Sequence, residues 1–294
     1  MSINNLKSLP DTLSPEAKDF LAALHVELTQ QELELPSYPN VAVQLQRLLL
    51  DDSVSTDRVV RLVGSEPVLA MRVVRLASSA ALNPRGTPVT ELRTAVARLG
   101  FNSLRAAAMS FAVTQLRMSE RYRNILDSLT RLWEDNVSMA AAACVVARRC
   151  RRVSADTALF AGLVSGVGKI CLLARASAYP GLMADPLAYQ AIVRDWHAAV
   201  AQSLLRSWNV ADDVVAAVHG YQVNAKSNHG GLALTDVLAV AELLSMHDKL
   251  ADQWMDAQKE QKSVERLGLR SDDCQVLANE SQAEFALIRS ALTQ

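Results

Sequence analysis

The chain has 294 residues, enough for one large domain or a domain with a small satellite. Half of the residues are hydrophobic and only 5% are aromatic, with Ala, Leu and Val dominant, which favours closely packed helices over sandwiches of strands. The 30 Lys and Arg against 31 Asp and Glu leave a net charge of -1 and give no electrostatic reason to expect general nucleic-acid binding.

The opening MSINNLKSLPDTL is polar and lacks the apolar core of a signal peptide. No run of 18 or more apolar residues is found, so no membrane span is expected. Cys144, Cys150, Cys171 and Cys274 show no CxxC spacing and are expected as free thiols, most of them buried. These features predict a soluble protein of a reducing compartment, most simply the cytoplasm.

Ser14-Pro15 is a helix start, an N-cap hydroxyl followed by proline at the first helical position. The helix is predicted to run to about Leu33, with Phe20, Leu21, Leu24 and Leu28 on one stripe that docks on the chain's own core. Leu35-Pro36-Ser37-Tyr38-Pro39 ends it. Short helices follow: one from Asn40, one capped by Ser55, and one after Glu66-Pro67 with Leu69, Val73, Leu76 and Ala77 on a face. Asn83 to Pro88 reads as a loop; Thr90 is expected to cap a helix stopped by Gly100, and Asn102 to open the next, to about Leu116.

Ser119 to about Cys150 is helical by pattern and long enough that a bend or split is expected near Asp135-Asn136. The arginines at 148, 149, 151 and 152 are read as cations at a helix C-terminus. Ser154 caps a helix to about Leu163, a Ser165-Gly166 turn follows, and Lys169 to Arg175 continues helical. Tyr189 to Trp208 is a helix broken by Asn209, and another starts at Asp212 or Asp213 and ends at His219-Gly220. Lys226 to Gly231 is a loop, Leu232 to about Gln258 a helix, and Ser271 to about Leu292 the last helix. The predicted fold is an all-α bundle of two lobes, residues 35–116 and 119–258, in one domain over 35–258, with helical extensions at 1–34 and 259–294.

Six pieces in order carry a resemblance. They are Leu35 to Pro39; Glu66-Pro67-Val68-Leu69 with Arg75 to Ala80; Thr90 to Gly100; FAGLVSGVGKI, Phe160 to Ile170; WHAAVAQSLLRSWNV from Trp196; and Val214 to His219. Together they resemble the HDOD family, bacterial regulatory domains related to HD-superfamily phosphohydrolases. The resemblance spans about Leu35 to Gln222, with weaker support to the end. FAGLVSGVGKI is similar to the family relatives' AGLLHDIGKL, so the metal-binding His-Asp pair falls on Ser165 and Gly166. The first ligand histidine, two residues after Trp133, falls on Asp135, while His197 and His219 keep the later histidines.

A hydrolase of this kind needs imidazole and carboxylate ligands converging on a metal that polarises phosphate and activates water. Glycine supplies no ligand and serine a poor one, so His197 and His219 are expected as ordinary hydrogen-bonded histidines. His25, His229 and His247 are isolated. Lys169 reads as a lysine snorkelling from a helix start. Gly162 to Gly168 lacks P-loop spacing, and Ser165 lacks the setting of a nucleophile elbow.

No catalytic, metal or cofactor residue is therefore assigned, and no cofactor is expected. The resemblance implies a non-catalytic signalling module acting through contacts with other signalling proteins, such as response regulators or cyclic-dinucleotide enzymes, and the length of the chain leads to the expectation of no fused receiver, diguanylate cyclase or DNA-binding domain. Two alternatives stay open. One is a sensor of a small ligand, a nucleotide for example, in a cleft around Asp135, Ser165, Gly166, Lys169, His197 and His219. The other is a divergent metal-dependent phosphohydrolase.

Overall fold

The computed structural model describes residues 14–30, 33–36, 39–51, 53–79, 89–224, 233–246, 262–269, 277 and 282–293, and among them there are helices and turns but no strand. The helix-rich composition thus gives the all-α fold it predicts. The first lobe holds α2 (Asn40–Leu48), α3 (Thr56–Gly64), α4 (Pro67–Ser78), α5 (Leu92–Arg98) and α6 (Phe101–Met118). The second is built on α7 (Leu126–Cys150), α8 (Ala155–Val164), α9 (Val167–Ala176), the single turn α10 (Pro180–Met183), α11 (Pro186–Ser207), α12 (Asp212–Asn224) and α13 (Ala233–Met246).

The central element is α8. Its side chains from Ala158 to Val164 are all buried, and α6, α7, α12 and α13 pack around it. Small residues make that possible: Gly162 lies so close to α7 that a Cβ would come 2.8 Å from the Ala140 Cα. The Ser154 hydroxyl accepts from the Thr157 N–H and caps α8, as the sequence predicts. By length and hydropathy alone, Ala155–Ala176 could cross a membrane, yet 89% of its most apolar window is buried in the protein and the Ser165-Gly166 turn divides it into α8 and α9. The apolar character of this stretch is that of a core helix pair.

Helix α1 (Pro15–Gln30) begins at Pro15 with the Ser14 hydroxyl accepting from Ala17 N–H. Phe20, Leu21 and Leu24 are fully buried and Leu28 packs against the core, so the stripe docks on its own chain. Burial of that size stabilises by about 1.5–3 kcal/mol per side chain. Phe20 meets Tyr179 edge to face, and Arg175 of α9 pairs with Glu27 at 2.6 Å.

Four expectations need correction. No bend occurs at Asp135-Asn136: α7 runs unbroken for 25 residues. The break lies earlier, in a 3-10 turn at Glu120–Ile125 kinked at Tyr122. Burial of Trp133, Asn136, Val137 and Ala140 keeps the helix continuous through a dipeptide of low helix propensity. Thr90 does not cap α5, which starts at Leu92 after Glu91, and Gly100 is the N-cap residue of α6 rather than a stop. Helix α12 passes His219-Gly220 and ends at Asn224, since glycine alone does not stop a helix whose packing continues.

The predicted loops at Asn83–Pro88 and Lys226–Gly231 lie outside the described residues, as do Ser37, Tyr38, His229, Cys274, residues 247–261 with His247 and the predicted helix end at Gln258, and the start of the last predicted helix. Cys144 and Cys171 are buried and Cys150 half-buried, and none forms a disulfide. Two C-terminal pieces are described: α14 (Lys262–Arg266), held to α13 by the Arg266–Asp236 ion pair, and α15 (Gln282–Thr293), which packs on α4, α6 and α7.

Candidate functional site

The residues singled out from the sequence lie on α7, the α8–α9 turn, α9, α11 and α12. Ser165 is buried, and its hydroxyl donates back to the Gly162 carbonyl at 2.7 Å. That bond is local to the turn. Gly166 is also buried, and a Cβ built on it would overlap the side-chain amide of Asn136. Asn136 itself is buried, and its Nδ2 has no hydrogen-bond partner. The Asn136 amide therefore occupies the space into which a side chain at position 166 would project.

Asp135, one residue earlier on α7, is exposed, so the α7 side chain turned to the Ser165-Gly166 corner is Asn136. The sequence offered little to find it. An asparagine mid-helix reads as a neutral surface residue until the neighbouring helix is in place.

Lys169 is half-buried one turn into α9. Its charge acts on His197 of α11 and on Glu242 of α13, which brings three ionisable groups from three helices into one neighbourhood. The α9–α11 crossing is tight there, because a Cβ at Gly168 would overlap the His197 carbonyl oxygen. His197 Nδ1 lies 2.9 Å from the Val193 carbonyl and donates to it, which leaves Nε2 as the acceptor nitrogen when the ring is neutral. Burial, then the Lys169 charge, push the His197 pKa down, against hydrogen bonds to the Val193 and Arg194 backbone. Burial also lowers His219, whose hydrogen bond with the Ala198 backbone acts the other way and whose Nδ1 is buried without a partner. The carboxyl of Glu242 is pushed up by burial, with Lys169 only partly offsetting it. Glu242 carried no signal in the sequence, where it is one acid in an apolar helix.

The positions that would carry the ligands of an HD-type metal centre hold other groups here. Position 166 has no side chain, Ser165 bonds to its own turn and Asp135 is exposed. Among the described residues no three His, Cys, Asp or Glu side chains come together as a metal site. What remains is a polar seam of one lysine, two histidines whose pKa values are held down and a carboxyl group whose pKa is pushed up.

Elsewhere, a groove of about 460 Å³ opens between the N-termini of α2 and α4 and the side of α6, lined by Pro39, Val41, Glu66, Phe111 and Gln115. It belongs to the first lobe and is separate from the seam.

The HDOD domain model matches residues 35–223. No curated protein matches the chain. Among solved structures, a candidate metal-dependent phosphohydrolase from Shewanella amazonensis SB2B is similar over 95% of this chain and 100% of its own, with a TM-score of 0.71 and 22% identity. An HDOD domain protein of unknown function from Geobacter sulfurreducens gives 0.61 and 21% identity over 92% and 98% of the two chains. A candidate signal transduction protein from Marinobacter aquaeolei VT8 gives 0.62 and 20% identity over all of this chain and 69% of its own. At these identities the likeness is one of fold. The family model, matching more than half of the sequence, makes the assignment: the chain belongs to the HDOD domain family.

Proposed function

We propose that this chain is a non-catalytic regulatory module that works through contacts with other signalling proteins. The observation that carries the proposal is the Asn136 amide filling the space beside Gly166, where a hydrolase of the related HD group would place its metal-binding aspartate. The Ser165 hydroxyl, bonded to the Gly162 carbonyl of its own turn, supports the same reading of a corner packed as core. Membership of the HDOD family and the fold shared with a candidate signal transduction protein support the signalling side of the reading. Response regulators and cyclic-dinucleotide enzymes are the partner classes we propose, and the cytoplasm is the compartment.

The test is a pair of assays on the full chain. Purified protein with added Mn²⁺ is offered phosphodiester and cyclic-dinucleotide substrates, and binding to purified receiver domains and cyclic-dinucleotide enzymes is measured by calorimetry. The expected result is no turnover above a His197→Ala control, with saturable binding to at least one protein. Turnover abolished by His197→Ala would overturn the non-catalytic reading, and saturable nucleotide binding without protein binding would favour a ligand sensor.

A further inference from the structure

The α4–α6–α7 face and the C-terminal helix meet through an arrangement that a permanent core contact would not need. Arg72 of α4 is a buried residue, and among the described residues no carboxylate pairs with it. Burial and the nearby Arg75 and Arg117 charges push its pKa down. Its guanidinium donates to the Ser110 hydroxyl, to the Thr114 hydroxyl at 2.8 Å and to the Leu292 carbonyl at 3.0 Å, while its Nε stays buried without a partner. Ser110 in turn donates to the same Leu292 carbonyl.

Leu292 stands in the last turn of α15, where helix carbonyls lack intrahelical partners and the helix end carries partial negative charge. The end of α15 therefore takes the place of the missing counter-ion. Among the described side chains of α15, Ile288 and Leu292 are buried, Phe285 is partly buried and Leu287 is exposed. A cavity of about 80 Å³, lined in part by Ser138, Leu244, Phe285 and Arg289, is left between α15, α7 and α13. The helix also lies outside the residues matched by the family model. A buried cation that reaches one carbonyl at the helix end, with its Nε left over, and a small cavity beside the helix describe a helix end seated on a polar cluster.

We propose that Arg72, Ser110 and Thr114 form a receptor for a helix C-terminus, and that α15 is its resident, displaceable occupant, a built-in plug over the α4–α6–α7 face. This stands whether or not the polar seam in the second lobe binds anything.

The test uses the full chain. In native-state hydrogen exchange, amides of residues 285–293 should exchange at least tenfold faster than those of α7 and α8, because the plug opens while the core stays closed. Arg72→Met should raise the exchange of α15 a further tenfold or more and leave α7 and α8 unchanged. An Ile288→Asp chain, its own plug disabled, should bind a fluorescent peptide of residues 282–294 in trans, and adding Arg72→Met should abolish that binding. Exchange of α15 as slow as α7 in the wild-type protein, or a folded Ile288→Asp chain that fails to bind the peptide, would overturn the proposal. If Ile288→Asp unfolds α4 and α6 along with α15, the helix belongs to the cooperative core and the proposal fails equally.

Discussion

The Asn136 amide and the α-carbon of Gly166 are packed so closely that no side chain fits between them. Restoring the aspartate that HD hydrolases carry there should therefore destabilise this protein. Gly166→Asp is expected to cost about 3 kcal/mol, in the range of overpacking a full core. Asn136→Gly in the same chain should recover a large part, giving a coupling energy of about 1–3 kcal/mol between neighbouring sites. Urea denaturation of the four proteins of the cycle measures it, and additive costs would show that the two positions do not compete for space.

Gly168 is constrained by backbone, since a Cβ there would overlap the His197 carbonyl oxygen. Backbone yields less easily than an amide side chain. Gly168→Ala should cost about 3 kcal/mol or more, and no single side-chain substitution on α11 should rescue it. Thermal unfolding of Gly168→Ala with and without His197→Ala checks this.

Asp156, in the first turn of α8, caps a different helix. Its carboxylate accepts from the Ser103 hydroxyl and from the backbone N–H groups of Asn102 and Ser103, at the start of α6, where Gly100 supplies no capping side chain. Asp156→Ala should destabilise by about 2 kcal/mol, as loss of a strong N-cap does, and Asp156→Asn by clearly less. Denaturant midpoints of the two variants should fall in that order.

Stability should depend on pH near neutrality. His197 and His219 are both held below the ordinary value of 6.5, so the unfolded chain binds their protons more readily than the folded one. Their contribution is complete above 6.5 and is lost as pH falls through 6.5 toward their lower folded values. Glu242 works in the opposite sense, because its carboxyl is raised: its contribution is present below its ordinary value and is lost as pH rises through its folded value. Urea midpoints between about pH 5 and pH 7.5 should decline on acidification. His197→Gln with His219→Gln should flatten the decline, and Glu242→Gln should steepen it.

The α1 stripe bears on experiments aimed at partners. Leu21 and Leu24 are core residues, so Leu24→Ala should cost about 2–5 kcal/mol and lower stability before it alters any surface. Circular dichroism melts of this variant, run beside Val26→Ser at an exposed position, should separate the two effects, with the second within about 0.5 kcal/mol of the parent.

Features carried by neighbouring residues could be read from the sequence. Ser154 before an apolar helix, Ser165-Gly166 as a turn, and the Phe20 to Leu28 stripe all rest on local chemistry and helical spacing, and the structure has each of them. The order of six such pieces was enough for the family. Relations between distant residues could not be read. Asn136 at Gly166, Lys169 between His197 and Glu242, and Arg72 at Leu292 join helices far apart in the chain, and each residue alone looks ordinary. The bend expected at Asp135-Asn136 failed for the same reason: propensity is local, and the burial that overrides it is tertiary.

The most direct measurement is the metal content of the 294-residue chain purified without chelator from cells grown in metal-replete medium, by inductively coupled plasma mass spectrometry. A packed corner at Asn136 and Gly166 predicts transition metal far below one ion per chain, unchanged by His197→Ala. One or two ions per chain, lost in His197→Ala, would contradict it and return the protein to the metal-dependent phosphohydrolases.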